Sequence, residues 1–439
     1  MKKAISIISA LGLTISMLAG CSPAKSVSPS SAPTTGKKDV TLSYMVSQGW
    51  LTDTEKQLGA KFEAETGIKI DYQVIPADQY FNVLMTKLNA GEAPDIFGSQ
   101  SGKFDIVSQL NIEKNGVDLT NEEWVKRLDP LVKEQLSTNN KTYGLMIYDV
   151  TPVYPVLYNK KIFASLNLEV PKTYEEFKNV CQKIKDSGVT PIYEPVSDGW
   201  HHVLWFPDLG PAYEKSTPGL TDKLNTNKAT FADSAVMEKS ISQLQEMAKL
   251  GFFGKNFLSD STADLDKNMA DGKYAMTLAQ ISEVDLIAKA VPGTTSDTFG
   301  FFTPPLVDNQ ILSYNPAGPS KFISSGSKHI EEAKEYFKYL TTQENLQFAV
   351  DNDATVIALG FTGLKDQFSP EAKEFIASST DKGTVYQTQI KYLNPQWMDI
   401  GKDLTAMFTT SLSHKDVLKN IDKRRSAQAK AAKDPAWTK

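Results

Sequence analysis

Between Val40 and Phe97 the sequence switches repeatedly between a period of two and a period of 3.6, and this alternation constrains the fold more than any other feature. Val40–Met45 is a β-branched and aromatic run that predicts a strand. Thr52-Asp53-Thr54-Glu55 reads as a capping box opening a helix with Leu58 and Phe62 on one face and Gly67 past its end. Ile68, Ile70, Tyr72 and Val74 then alternate as a second strand. Phe81, Leu84, Met85 and Leu88 recur at helical spacing up to Gly91, and Pro94-Asp95-Ile96-Phe97 begins a third strand. The order β-α-β-α-β predicts an α/β fold with a parallel sheet joined by right-handed crossovers, in which ligands bind outside the carboxyl ends of the strands. Two loops therefore belong at the mouth: Ser47-Gln48-Gly49-Trp50 after the first strand and Ser99-Gln100-Ser101-Gly102 after the third.

Further helices are legible downstream. Thr173-Tyr174-Glu175-Glu176 is a second capping box, Met237–Leu250 is an apolar-periodic helix stopped by Gly251, and Ile330–Leu340 is another. Thr341 with Glu344 is read as the cap of the next helix, Ser369-Pro370-Glu371 as the start of a further one, and Lys415 to Lys433 as a polar terminal helix. With 439 residues the chain has material for two or three domains, and no repeat of 20 to 50 residues runs through it.

The N-terminus bears on location. Lys2-Lys3, an apolar run from Ala4 to Ala19 and then Leu18-Ala19-Gly20-Cys21 make a charged region, an apolar region and a small-residue cleavage site, so 1–20 is expected to be a signal peptide. Leu-Ala-Gly-Cys resembles the bacterial lipobox, in which the cysteine thiol takes a diacylglycerol and becomes the new N-terminus. That makes Cys21 the expected lipid attachment site. Each buried methylene contributes about 0.8 kcal/mol, so two or three acyl chains hold firmly where one would not. The Ser/Pro/Ala/Thr-rich stretch after it reads as a solvated tether over 21–39, with a short tail at 431–439. The alternative is a soluble secreted protein with an incidental cysteine.

The formal charge is −5, with 52 acidic residues against 47 basic ones, which argues against a nucleic-acid partner. Only Arg127, Arg424 and Arg425 are arginines, and scarce guanidinium forks argue mildly against a small anionic ligand. Two cysteines, Cys21 and Cys181, imply no disulfide framework.

Several short motifs now fall into a known order. Phe62-Glu63-Ala64-Glu65-Thr66-Gly67-Ile68 and Gly91-Glu92-Ala93-Pro94-Asp95-Ile96 come first, then Lys141-Thr142-Tyr143-Gly144-Leu145 with Leu157-Tyr158-Asn159-Lys160-Lys161. Pro171-Lys172-Thr173-Tyr174-Glu175-Glu176-Phe177, Asp271-Gly272-Lys273-Tyr274-Ala275-Met276 and Glu332-Ala333-Lys334-Glu335-Tyr336-Phe337-Lys338-Tyr339-Leu340 complete the series. Over roughly residues 40–430 this resembles the extracellular solute-binding proteins of ABC sugar importers, the family that includes maltose-binding protein. The resemblance implies a two-lobed periplasmic-binding-protein type 2 fold closing on a ligand at the interlobe hinge. It places one lobe at 40–150 plus 298–350 and the other at 151–297 plus 351–430. It also implies a monomer that delivers its ligand to the permease subunits of an importer, without a cofactor.

A sugar offers hydroxyls and a weakly apolar ring face, so its site needs aromatic planes and side chains that both donate and accept. Gln48, Trp50 and Gln100 come from the strand-end loops. Tyr148, Asp149 and Tyr154 lie where the family crosses between lobes, and Tyr314-Asn315-Pro316 reaches the cleft only by that analogy. Asp198-Gly199-Trp200-His201-His202 with Trp205 and Phe206 is the densest polar-aromatic cluster, Gln280 and Glu283 follow the Ala-Met strand, and Trp397 closes Leu393-Asn394-Pro395-Gln396-Trp397. A tryptophan is also a common core residue, and Trp124, in a charged helix, is read as structural. His201-His202 suggests a metal only weakly, because adjacent side chains diverge and no third ligand has the right spacing.

Enzymatic motifs are missing: there is no Gly-x-Ser-x-Gly, Walker loop, Gly-x-Gly-x-x-Gly or His-Glu-x-x-His. Ser325-Gly326-Ser327-Lys328 lacks its companion motifs, and Asp264-Leu265-Asp266-Lys267-Asn268 has Met269 where a calcium loop needs glycine. Two alternatives stay open: a binding protein for a polyamine, metal or anion on the same fold, with Asp149 and Asp198 as a faint polyamine hint, and a lipid-anchored carbohydrate-active enzyme, which needs only two carboxylates.

Overall fold

The computed structural model describes residues 38–150, 154–353, 355–409 and 412–438. The expected signal peptide, Cys21 and nearly all of the expected tether lie outside the described residues. Strands β1 (Val40–Ser47), β2 (Ile68–Ile75) and β3 (Ile96–Gln100) alternate with helices α1 (Asp53–Thr66) and α2 (Ala77–Ala90). β1 pairs in parallel with β2, Val40 opposite Ile68 through Ser47 opposite Ile75, and on its other edge with β3. The chain later adds Pro319–Ile323 antiparallel to β3, and Gly144–Leu145 antiparallel to that strand. The sheet order is β2, β1, β3, 319–323, 144–145.

Local chemistry explains these elements. Ile68 and Ile70 are buried between exposed Lys69 and Asp71, the period-two pattern of a half-covered strand. Thr52 caps α1 by accepting the Glu55 amide at 3.2 Å, and Gly67 ends it at φ 81°, a left-handed conformation that glycine takes without a Cβ penalty. The reciprocal half of that capping box is absent, because the Glu55 carboxylate turns inward to Lys321 at 3.1 Å. The box at Thr173 is complete, with Glu176 bonding back to the Thr173 amide. Thr342 rather than Thr341 caps Gln343–Asn352; the Thr341 hydroxyl is spent on the Phe337 carbonyl of the preceding helix.

A second sheet runs in the order Phe299–Phe302, Val156–Asn159, Tyr274–Leu278, Thr190–Tyr193. Its first two pairings are antiparallel and its last is parallel. One core gathers around the first sheet with Tyr44, Phe62, Phe97, Trp124 and Phe322. Another gathers around the second with Phe177, Trp205, Phe206, Phe231 and Ile421, and a smaller cluster containing Leu157, Met269 and Phe299 is distinct from it. Trp124 is core, as its charged surroundings in sequence suggested.

Phe299–Phe302 belongs to the second sheet, and Val356, Leu359 and Phe361 pack into the first core. Leu306 also lies in the second core, and Leu364 packs against the first. Strand pairing and apolar contact, not chain position, decide which core a segment joins. Between the two cores Leu312–Tyr314 pairs in parallel with Lys382–Thr384.

Candidate functional site

The first sheet supplies one wall. β1 runs into Gln48 and Gly49, where φ of 88° turns the chain so that the Trp50 amide reaches the Ser47 carbonyl at 3.1 Å. Trp50 is half-buried, its ring edge-on to Tyr80 and Phe81 at 5.4 and 6.0 Å between centroids. The Tyr80 hydroxyl lies 2.6 Å from the Gly98 carbonyl and 3.1 Å from that of Met45, which fixes the ring under Trp50. Gln48 is exposed, and Gln100 is half-buried at the end of β3, opposite Pro319.

The crossing into the second sheet brings Tyr148, Tyr154 and Gln280 together. The Gln280 side chain pulls the pKa of both phenols down, while burial is the larger force and raises it. Tyr154 holds φ of 44°, a conformation that costs a non-glycine residue about 1–3 kcal/mol and marks a position fixed by its surroundings. Its ring stands edge-on to Trp200 at 6.4 Å and His201 at 6.3 Å. The Trp397 indole donates to the Trp200 carbonyl at 3.0 Å, tying these two loops together. Glu283, half-buried, is pushed up to about 8 by burial and then by a hydrogen bond and charge from Asp266.

Three expected ligand groups are engaged within the protein. His201 is buried with Nδ1 2.7 Å from Glu194 Oε1 and Nε2 3.0 Å from the Leu278 carbonyl. Both ring nitrogens thus face protein acceptors, and the ring braces the Trp200 loop instead of offering a donor to solvent. Glu194, fully buried and unnoticed in the sequence, also accepts the Trp205 indole proton at 2.6 Å. Asp149 Oδ1 accepts the Ile357 and Ala358 amides at 2.7 and 3.0 Å, latching two passages of the chain together. Asp198 accepts the Thr262 amide at 2.8 Å. Among the described residues no group of three His, Cys, Asp or Glu side chains could hold a metal ion.

A polar seam that the sequence reading did not assemble joins the cores. Asn315 donates to Gln387 Oε1 at 2.9 Å, Gln387 donates to Asn394 Oδ1 at 2.9 Å, and Asn394 donates to Asp105 Oδ2 at 3.0 Å. Beside it Lys103 Nζ lies 3.4 Å from Gln389 Oε1, and Lys391 sits 5.9 Å from the Phe104 ring centre. Burial pushes Asp105 up to about 7, against the hydrogen bonds from Asn394 and Gln109. Only Asn315 and Asn394 had a sequence signal, each beside a proline in an aromatic string. A groove of about 630 Å³ bounded by Pro211, Glu214, Lys215, Asp381 and Tyr386 contains none of the expected ligand residues.

Comparison with known proteins follows this geometry. The sequence model described as bacterial extracellular solute-binding protein matches residues 48–347. The multiple sugar-binding protein of Streptococcus mutans is 25% identical over 396 residues, covering 88% of this chain and 90% of its own length. The melibiose/raffinose/stachyose-binding protein of Bacillus subtilis is 22% identical over 366 residues, covering 81% and 80%. A Bacillus licheniformis sugar transporter solved in complex with stachyose superposes with a TM-score of 0.73 at 20% identity, covering 88% of this chain and 100% of that one. That last likeness is one of fold, and it is to a two-lobed solute-binding architecture.

Proposed function

Because this chain belongs to the bacterial extracellular solute-binding proteins, we propose that it captures an oligosaccharide between its two cores and hands it to the permease of an ABC importer. The observation that carries this reading is the convergence of Tyr148 and Tyr154 on Gln280, beside Trp200. Aromatic edges and faces stack on sugar rings, while phenol and amide groups donate and accept as hydroxyls require. Trp50, half-buried against Tyr80 and Phe81, is the aromatic we assign to the ligand from the first core. The lipobox supports anchoring through a diacylglycerol on Cys21, with the body held outside the cell as a monomer. Among the described residues no helix is long and apolar enough to cross a membrane. No catalytic step enters this reading.

Capture works by closure. A ligand shifts the balance between open and closed forms only by its differential affinity for the closed one, so groups from both cores must reach it. The polar seam from Asn315 to Asp105 is where such closure is read out. The test is a titration of residues 39–439 with raffinose, stachyose and N,N′-diacetylchitobiose, following tryptophan fluorescence and melting temperature together. Saturable binding that raises the melting temperature is the expected result, because a ligand of the native state stabilises it. Response to spermidine alone would replace the sugar by an amine, and consumption of the sugar would make the protein an enzyme.

A further inference from the structure

The stretch that follows the helix His414–Ala431, read from sequence as a short tail, is packed down: Asp434 and Trp437 are both buried. Asp434 Oδ2 accepts from Lys391 Nζ at 2.9 Å and from the Tyr392 hydroxyl at 3.1 Å. The Trp437 ring stands perpendicular to that of Tyr392 at 5.7 Å between centroids, and the Arg425 guanidinium lies 5.5 Å from its centre. Arg425 in turn donates to the Lys391 carbonyl at 3.0 Å. Tyr392 holds φ of 63°, a left-handed conformation that a residue with a Cβ keeps only where its surroundings fix it. Lys391 and Tyr392 are thus gripped through both side chains and through the backbone. The grip extends to the polar seam. The Gln396 side chain donates to the Tyr392 carbonyl at 2.7 Å and accepts from Arg424 at 2.7 Å, which closes the short loop between them. Asn394 sits inside that loop and reaches across to Asp105 at 3.0 Å, while Lys391 lies 5.9 Å from the centre of the Phe104 ring.

We propose that Asp434 and Trp437 are positioning residues for ligand capture: they hold Lys391 and Tyr392 so that Asn394 meets Asp105 when the two cores come together. A donor already held in place loses little conformational freedom on making its contact, so preorganisation of this kind appears as affinity. The route is short. Asn394 is two residues from Tyr392 in a loop closed at both ends, so a shift of the Tyr392 backbone moves the amide that spans the seam. Loss of the seam bond lowers the population of the closed form, and the apparent affinity of a ligand for that form falls in proportion. Neither Asp434 nor Trp437 need touch the ligand for this to hold. The inference rests on the reading of capture by closure given above and adds the part of the chain that sets its balance.

The experiment is a double-mutant cycle on Trp437→Ala and Asn394→Ala, read by calorimetric titration with raffinose, stachyose and N,N′-diacetylchitobiose and by small-angle scattering in buffer. Each single variant is expected to bind the wild type's sugar about tenfold more weakly, and the double variant no more weakly than the weaker single, because both remove one contact. Trp437→Phe, which keeps a ring against Tyr392, should come within about threefold of the wild type. The radius of gyration should rise in Trp437→Ala as it does in Asn394→Ala. Losses that multiply in the double variant would show that Trp437 acts on stability by another route and overturn the proposal, as would wild-type affinity in Trp437→Ala. Should Trp437→Ala not fold, Tyr392→Phe takes its place in the cycle, since it removes only the bond to Asp434; a loss of about threefold that does not multiply with Asn394→Ala is then expected, and a multiplied loss or none overturns the proposal. If the wild type binds none of the three sugars, the carbohydrate reading falls and scattering alone decides: a radius in the tail variant equal to that of the wild type overturns the positioning role, and the expansion seen in Asn394→Ala upholds it.

Discussion

Asn394 donates a hydrogen bond of 3.0 Å to the buried carboxyl of Asp105, across the line where the two cores meet. Burial pushes Asp105 up to about 7 in the folded protein, well above the usual carboxylate value near 4. A group with a raised folded pKa contributes stability that is complete below its unfolded pKa and is lost as pH rises through the folded one. Between pH 4 and pH 7, then, the seam weakens as pH increases. Asp105→Asn should flatten part of that slope. Melting temperatures of the two proteins measured from pH 4 to 8 check this; parallel curves would show that Asp105 does not titrate with unfolding.

Lys321 and Glu55 form an ion pair of 3.1 Å, and both residues are almost wholly withdrawn from water. Burial raises the Glu55 carboxyl, and the Lys321 charge pulls it back down. Removing one partner strands the other, at a cost of about 3–5 kcal/mol. Lys321→Met should lose this much in urea unfolding, and adding Glu55→Gln should restore a large part of it. A double variant no better than the single one would mean that packing, not the pair, is responsible.

Two tryptophans five residues apart should separate binding from stability. Trp200 is half-buried and touches Tyr154, whereas Trp205 is fully buried with its indole proton on Glu194. Trp200→Ala should weaken sugar binding by tenfold or more with a modest change in melting temperature. Trp205→Phe should leave one Glu194 oxygen unpaired and cost about 1–3 kcal/mol of stability. Unchanged affinity in both Trp200→Ala and Trp50→Ala would remove these residues from the site.

Cys21→Ala is expected to release the protein from the membrane fraction of expressing cells into the medium, with sugar affinity unaltered. Retention in the membrane fraction would argue for an anchor other than a lipidated cysteine.

Much of this was legible in the residues. Ile68, Ile70 and Tyr72 alternate, and they form a strand. Thr173 and Glu176 have the spacing of a capping box, and they make one. Tyr148, Tyr154 and Gln280 were identified separately from residue type and placement, and they are neighbours in space. Asp149 and His201 were also plausible by type, yet type does not reveal that two amides meet one carboxylate or that Glu194 and a carbonyl occupy both nitrogens of the ring.

The sequence by itself therefore determined the α/β class and many helix and strand starts, because periodicity and capping act within a few residues along the chain. Which polar groups are spent and which are left over was decided only by tertiary structure. Asp105 with Asn394 and Glu55 with Lys321 depend on contacts between segments hundreds of residues apart. A carboxylate's role is set by the donors and water that reach it, and no local pattern encodes those.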